Sequence, residues 1–300
     1  MGVETARGVG PLGIDVAYEY FGDANAPPVL LIMGLATQML GWPDGFCEML
    51  AGHGLHVIRF DNRDIGLSTH LDDAPVPDVM AVVAGGTTSV PYLLAEMAAD
   101  TVGLLDALDL DSAHIVGASM GGMIAQLVAI DYPERVRSLT SIMSTTGNSE
   151  VGQSTQEALA ALLAPAARTR EQAIDRTLSV FRTIGSPGYE LDEDELRMRA
   201  GLSFDRANDP AGVARQLMAV VASPDRTPGL RSVRAPTLVL HGAADPLVDV
   251  SGGRATAEAI EAAELVVIEG MGHDLPRALW PQITDRIAEL VTRAESVVGS

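Results

Sequence analysis

No lysine occurs anywhere in the 300-residue chain, so all twenty basic residues are arginine. That absence excludes chemistry built on a lysine amine, such as a Schiff base with pyridoxal phosphate or a lysine aldolase. It also excludes a Walker-A phosphate loop, which needs its lysine on the phosphates. Arginine-favouring codon usage accounts for the bias without any function. Positive charge is scarce as well: forty acids against twenty arginines leave a net charge of −20. A surface of that sign repels phosphate backbones and anionic lipid, which excludes a nucleic-acid partner. Cysteine is reduced to Cys47, so no internal disulfide can form and no oxidising compartment is needed. Long apolar runs are missing too. Met1 to Gly13 holds no stretch of signal-peptide length, and nothing approaches the roughly twenty apolar residues of a membrane span. These absences predict a soluble, cytoplasmic protein without a membrane span. No coiled-coil heptad, repeat or low-complexity tract specifies an assembly.

What is present is a large apolar fraction, 47% of residues, enough for an extensive packed interior. Pro28–Met33 and His56–Phe60 are short, nearly continuous apolar runs, the pattern of parallel strands buried on both faces. Ala113–Val116, Val136–Met143, Pro236–His241 and Leu265–Ile268 read the same way. Helical spacing fills Met97–Leu110, Met120–Ile130, Gly253–Ala262 and Trp280–Ser296. Strands alternating with helices predict a mostly parallel α/β sheet with right-handed crossovers. The alternation stops between about Thr146 and Leu230. There four helices are predicted, at 156–163, 170–181, 192–202 and 209–221, broken by Gly185-Ser186-Pro187-Gly188 and by the proline-bearing run at 224–228. The expected organisation is therefore a core of 1–145 and 230–300, with a helical lid over 146–229 inserted after the sixth strand.

The sharpest local signal is Gly117-Ala118-Ser119-Met120-Gly121, placed where a strand should pass into a helix. A serine at the apex of such a turn adopts strained backbone angles, and side chains two positions either side would collide with the flanking elements. A serine nucleophile needs a base, and the base an orienting group. His114 and His56 open their strands and lie at the wrong edge of the sheet. His53 and His56 make only a weak metal pair. His241 ends a strand on the right edge but precedes Gly242 and is expected to shape that turn. His273, in the glycine loop Gly270-Met271-Gly272-His273, can reach over the serine from the C-terminal edge. Asp245 follows the penultimate strand and is the expected acid, ahead of Asp249 and Asp274. An oxyanion hole needs two backbone N–H groups. Met120, just after the serine, supplies one; Leu35, after the Pro28–Met33 strand, is expected to supply the other, with Gly34 as fallback.

With GASMGG, HGAADPLV and GMGH in place, the chain resembles a lid-bearing α/β-hydrolase. LLIMG, GWPDGF and GLHVIRFDNRDIGLST are similar to segments of actinobacterial carboxylesterases and lipases and of the aclacinomycin methylesterase group. The resemblance implies Ser119 as nucleophile, Asp245 as acid and His273 as base, with no metal, nucleotide or flavin. It departs in one place: Met33-Gly34 stands where many relatives have His-Gly, which alters the pocket floor. The implied reaction is hydrolysis of a small or medium apolar ester through an acyl-enzyme. A narrow biosynthetic hydrolase, such as a polyketide methylesterase or carbon–carbon bond hydrolase, is the alternative, and a non-catalytic ligand receptor the third. In the inserted segment, Leu202, Phe204, Leu217, Met218 and Val221 are candidate pocket residues.

Overall fold

The computed structural model describes residues 2–298. Its centre is an eight-stranded sheet. β1 (Glu4–Val9), β2 (Ile14–Phe21), β3 (Pro28–Ile32) and β4 (His56–Phe60) precede β5 (Ala113–Ala118), β6 (Val136–Ile142), β7 (Thr237–Gly242) and β8 (Glu264–Ile268). The order across the sheet is β1-β2-β4-β3-β5-β6-β7-β8. β2 pairs antiparallel with both β1 and β4, and the six strands from β4 to β8 are parallel.

The apolar runs form strands because both faces are covered. In β3, Leu30 and Ile32 enter one core cluster while Val29 and Leu31 enter the other, the two-residue alternation of a pleated strand. The first cluster is closed by α3 (Leu94–Ala107) and α4 (Met120–Asp131). The second is closed by α1 (Asp44–Ala51) and by α11 (Trp280–Val298), which contributes Ile283, Ile287 and Leu290 at helical spacing. A short helix, α2 (Val79–Val83), precedes α3, and α10 (Ser251–Ala259) joins β7 to β8.

Between β6 and β7 the chain makes five helices: α5 (Gln156–Leu162), α6 (Arg170–Ile184), α7 (Glu193–Arg206), α8 (Pro210–Ala222) and the single-turn α9 (Thr227–Leu230). Thr155, Thr169, Asp192 and Asp209 cap the first four, each accepting a backbone N–H from the first turn. α7 and α8 are tied to the turn after β4 by ion pairs. Arg215 donates to both oxygens of Asp64 at 2.9 and 2.8 Å, and Arg206 donates to Asp61 at 2.7 Å. Asp61, Asn62, Arg63 and Asp64 are all buried; Arg206 and Arg215 of the inserted helices engage the two aspartates, while Arg63 donates to Asp100 of α3 at 2.6 Å.

From β3 the chain crosses to β4 on one side and, later, to β5 on the other. This reversal opens a crevice at the C-terminal ends of β3 and β5, the place where open α/β sheets bind ligands.

Candidate active site

Ser119 sits at that crevice, at the N-cap of α4, with φ 56° and ψ −122°. Non-glycine residues rarely adopt these angles, and holding one there costs about 1–3 kcal/mol. The turn persists because its surroundings admit no other path. A Cβ on Gly117 would fall on the carbonyl oxygen of Gly121, and one on Gly121 would fall on that of Ile32. The Ser119 N–H donates to the Ile142 carbonyl at 2.9 Å, which locks the apex to β6.

The His273 ring lies over this apex. Its Nδ1 is 2.8 Å from Asp245 Oδ2, and its Nε2 is 2.9 Å from Ser119 Oγ. An ionised carboxylate only accepts, so Nδ1 carries the proton and Nε2 is free to accept from the serine hydroxyl. Asp245 has no freedom to turn away: its other oxygen, Oδ1, accepts the N–H groups of Leu247 and Val248, both at 2.9 Å. His241, whose Nε2 is 3.6 Å from Asp245, takes no part in this chain. Its Nε2–H donates to the Val248 carbonyl at 2.8 Å, and burial pushes its pKa below the ordinary histidine range.

The loop after β3 runs close beside Ser119: a Cβ on Gly34 would lie 3.0 Å from the Ser119 Cβ. Among the described residues, no protein acceptor takes the N–H of Leu35 or of Met120. This loop is held from two directions. Asn62 donates to the Met33 carbonyl at 3.0 Å from below. From above, Gln216 of α8 accepts the Ala36 N–H at 3.2 Å, and Gln38 donates to the Ser203 and Ala207 carbonyls of α7 at 2.7 and 3.1 Å.

The structure thus brings Ser119, His273 and Asp245 into one hydrogen-bonded series, with Leu35 and Met120 beside it. It separates the other histidines. His114 is buried at the start of β5 against Ser138 and Glu295, and burial pulls its pKa down to about 4. His53 pairs with Asp285 at 3.3 Å, while His56 packs against Tyr20. Asp249 accepts the Ser251 N–H at the start of α10. Asp274 is engaged by Ser186 on the turn between α6 and α7, a contact for which the sequence carries no local signal. Leu202 and Val221 are exposed, whereas Met218 is buried.

One cluster has the donor atoms of a cation site: Asp64, His70 and Asp209, all within 4.8 Å of one another. The Arg215 guanidinium already bridges both carboxylates, at 2.8 Å from Asp64 and 3.5 Å from Asp209, and so supplies the positive charge itself.

Among known families, the model for the alpha/beta hydrolase fold matches residues 27–276. The chain is 31% identical to rhodomycin D methylesterase DauP of Streptomyces sp. (strain C5), over 93% of this chain and 95% of that one. It is 29% identical to 3-oxoadipate enol-lactonase 2 of Acinetobacter baylyi, over 85% and 86% of the two chains. A solved esterase from Rhodococcus shares the fold at a TM-score of 0.74, with 21% identity and 99% of each chain covered.

Proposed function

A member of the alpha/beta hydrolase family and an ester-bond hydrolase, this chain works, we propose, through an acyl-enzyme formed on Ser119. The observation that carries this reading is the hydrogen-bonded series Ser119–His273–Asp245, with the serine held at positive φ. His273 Nε2 takes the hydroxyl proton as Oγ attacks the ester carbonyl carbon. Asp245, fixed by two amides, holds the imidazole in the tautomer that can accept, and then stabilises the imidazolium. The negative charge that develops on the carbonyl oxygen is met by the N–H groups of Leu35 and Met120. The carbon–oxygen bond to the alcohol breaks, and His273 returns its proton to the departing oxygen. Water then attacks the acyl carbon, losing a proton to His273. Ser119 departs from the second tetrahedral adduct, recovers that proton and releases the carboxylic acid. No metal, nucleotide or flavin enters any step.

Residues 146–229, which hold α5 to α8, serve as a lid (cap) over this site. Lipase-like scope on small and medium apolar esters is the main reading, with action in the cytoplasm as part of it. Among the described residues, no helix is long and apolar enough to cross a membrane. A second reading, removal of a methyl ester from a polyketide skeleton, is favoured by the likeness to rhodomycin D methylesterase over nearly the whole chain. The test is turnover of p-nitrophenyl butyrate by wild type and Ser119→Ala. Loss of turnover in the variant is expected, and equal turnover rejects the mechanism. A series of p-nitrophenyl esters from acetate to decanoate, run beside a methyl ester on a polycyclic aromatic skeleton, separates the two substrate readings.

A further inference from the structure

The loop that carries His273 is mounted on the inserted helices as well as on the sheet. Two backbone hydrogen bonds and two close glycine approaches join them. The His273 N–H donates to the Ile184 carbonyl at the end of α6, at 2.7 Å. The Gly188 N–H donates to the Gly270 carbonyl at 2.9 Å. Gly188 and Gly270 also approach so closely that a Cβ on Gly188 would lie 2.8 Å from the Gly270 Cα. Gly272 is packed against the turn in the same way, since a Cβ there would lie 2.7 Å from the Ile184 oxygen.

Ser186 is the side chain that joins the two segments. It is buried; its hydroxyl oxygen accepts the Gly272 N–H at 2.8 Å, and its proton goes to Asp274 Oδ1. The residues so engaged stand immediately before and after His273. We propose that Ser186 is a positioning residue for His273, setting from the inserted segment the height and tilt at which the imidazole meets Ser119. This rests on reading His273 as the general base. The hydroxyl does two jobs that no apolar residue can replace: it satisfies one buried backbone donor and one half-buried carboxylate. The Asp274 carboxyl, pushed above the usual range by burial, is drawn back toward ionisation by this hydroxyl and by His273. Loss of the hydroxyl therefore removes a bond from each neighbour of the base at once, leaving Asp274 only the backbone N–H of Ser186.

A displacement of about 1 Å in a reacting group costs on the order of a hundredfold in rate. Ser186→Ala is expected to lower kcat on p-nitrophenyl butyrate by about ten- to a hundredfold with KM changed less than about threefold. The rate of labelling by a fluorophosphonate should fall in parallel, because labelling needs the same activated hydroxyl. Ser186→Thr, which keeps the hydroxyl, should restore most of kcat. Ser186→Cys fills the same space with a weak donor and should lose kcat nearly as far as alanine does, which covers the case of a poorly folded alanine variant. Wild-type kcat in both Ser186→Ala and Ser186→Cys overturns the proposal. So does a loss in Ser186→Thr equal to that in Ser186→Ala. If Ser119→Ala turns over ester normally, the hydrolytic mechanism itself fails; if it is inactive while both Ser186 variants keep wild-type kcat, only the positioning role fails.

Discussion

Replacing Asp245 by asparagine changes one atom and should nearly abolish turnover, for a reason that lies in the other oxygen. Asp245 Oδ1 faces two N–H donors, those of Leu247 and Val248, at 2.9 Å each. An asparagine must present its carbonyl oxygen there, since an NH2 group would confront two donors. Its NH2 is thereby forced onto the Oδ2 position, 2.8 Å from His273 Nδ1. Donor would then meet donor unless the imidazole moves its proton to Nε2. In that tautomer Nε2 donates toward Ser119 and cannot receive its proton. The geometry survives while the base is lost, together with the carboxylate that stabilises the imidazolium. Comparable tautomer reversals in serine hydrolases cost about 10⁴ in kcat, which is about 5 kcal/mol of transition-state stabilisation at ~1.36 kcal/mol per decade. The assay is steady-state hydrolysis of p-nitrophenyl butyrate at neutral pH, with Asp249→Asn as control, because Asp249 accepts the Ser251 N–H and makes no hydrogen bond to His273. We expect Asp249→Asn to stay within about threefold of wild type. An Asp245→Asn enzyme within tenfold of wild-type kcat, or one whose His273 proton remains on Nδ1 in an NMR spectrum, would refute the reasoning.

Ser119→Gly should remove the backbone strain of the apex and gain about 1 kcal/mol of stability over Ser119→Ala, both being inactive; a glycine variant that melts below the alanine variant contradicts this. Gly121→Ala forces a methyl group onto the Ile32 carbonyl, so a loss of several kcal/mol and a sharp drop in soluble yield are expected, and a wild-type melting temperature would show that the turn can yield. Arg215→Ala leaves the fully buried Asp64 without its bidentate partner and should cost about 3–5 kcal/mol in urea unfolding; a cost under 1 kcal/mol would mean that water reaches the carboxylate. Both ring nitrogens of His70 face acceptors, Asp209 and the Gly66 carbonyl. Burial alone would pull its pKa down, yet these two bonds and the nearby carboxylates raise it overall. Asp209 is desolvated, but His70, the Gly212 N–H and Arg215 together outweigh that and lower its pKa. A raised histidine contributes fully below its unfolded value of about 6.5 and loses the contribution as pH rises through the folded one. The stability gap between wild type and His70→Ala should therefore shrink from pH 6 to pH 9, and a gap that is constant or widens argues against a charged His70.

The sequence exposes the parts of this fold that are buried on both sides. Residues such as Leu30, Leu31 and Ile58 must be apolar whichever face they meet, so β3 and β4 stand out as runs with ends within a residue of those observed. The hairpin of β1 and β2 has no such uniformity. β1 is exposed at four of six positions and carries a bulge between Ala6 and Val9 that breaks its alternation. The alternation of Ile14–Phe21 after the glycines at 10 and 13 is the signal that identifies the pair. Ser119, Asp245 and His273 are legible because each follows a strand on a short turn with its own glycine or proline signature. Ser186 is not, since its partners lie 86 and 88 residues away and nothing local to Gly185-Ser186-Pro187-Gly188 distinguishes a mount from an ordinary loop. The ion pairs of Arg206 and Arg215 are hidden for the same reason, spanning 145 and 151 residues.

Those two long-range pairs bear on how such enzymes can be recombined. A segment inserted between two strands looks like an exchangeable cassette, and swapping it is an obvious route to new substrate scope. Here the cassette holds the countercharges for Asp61 and Asp64, both wholly buried beneath it. A chimera that imports foreign helices without arginines at the positions of 206 and 215 strands two carboxylates in the interior, whatever its new pocket looks like. Successful grafts should therefore either carry both arginines with them or exchange the two aspartates in the recipient at the same time.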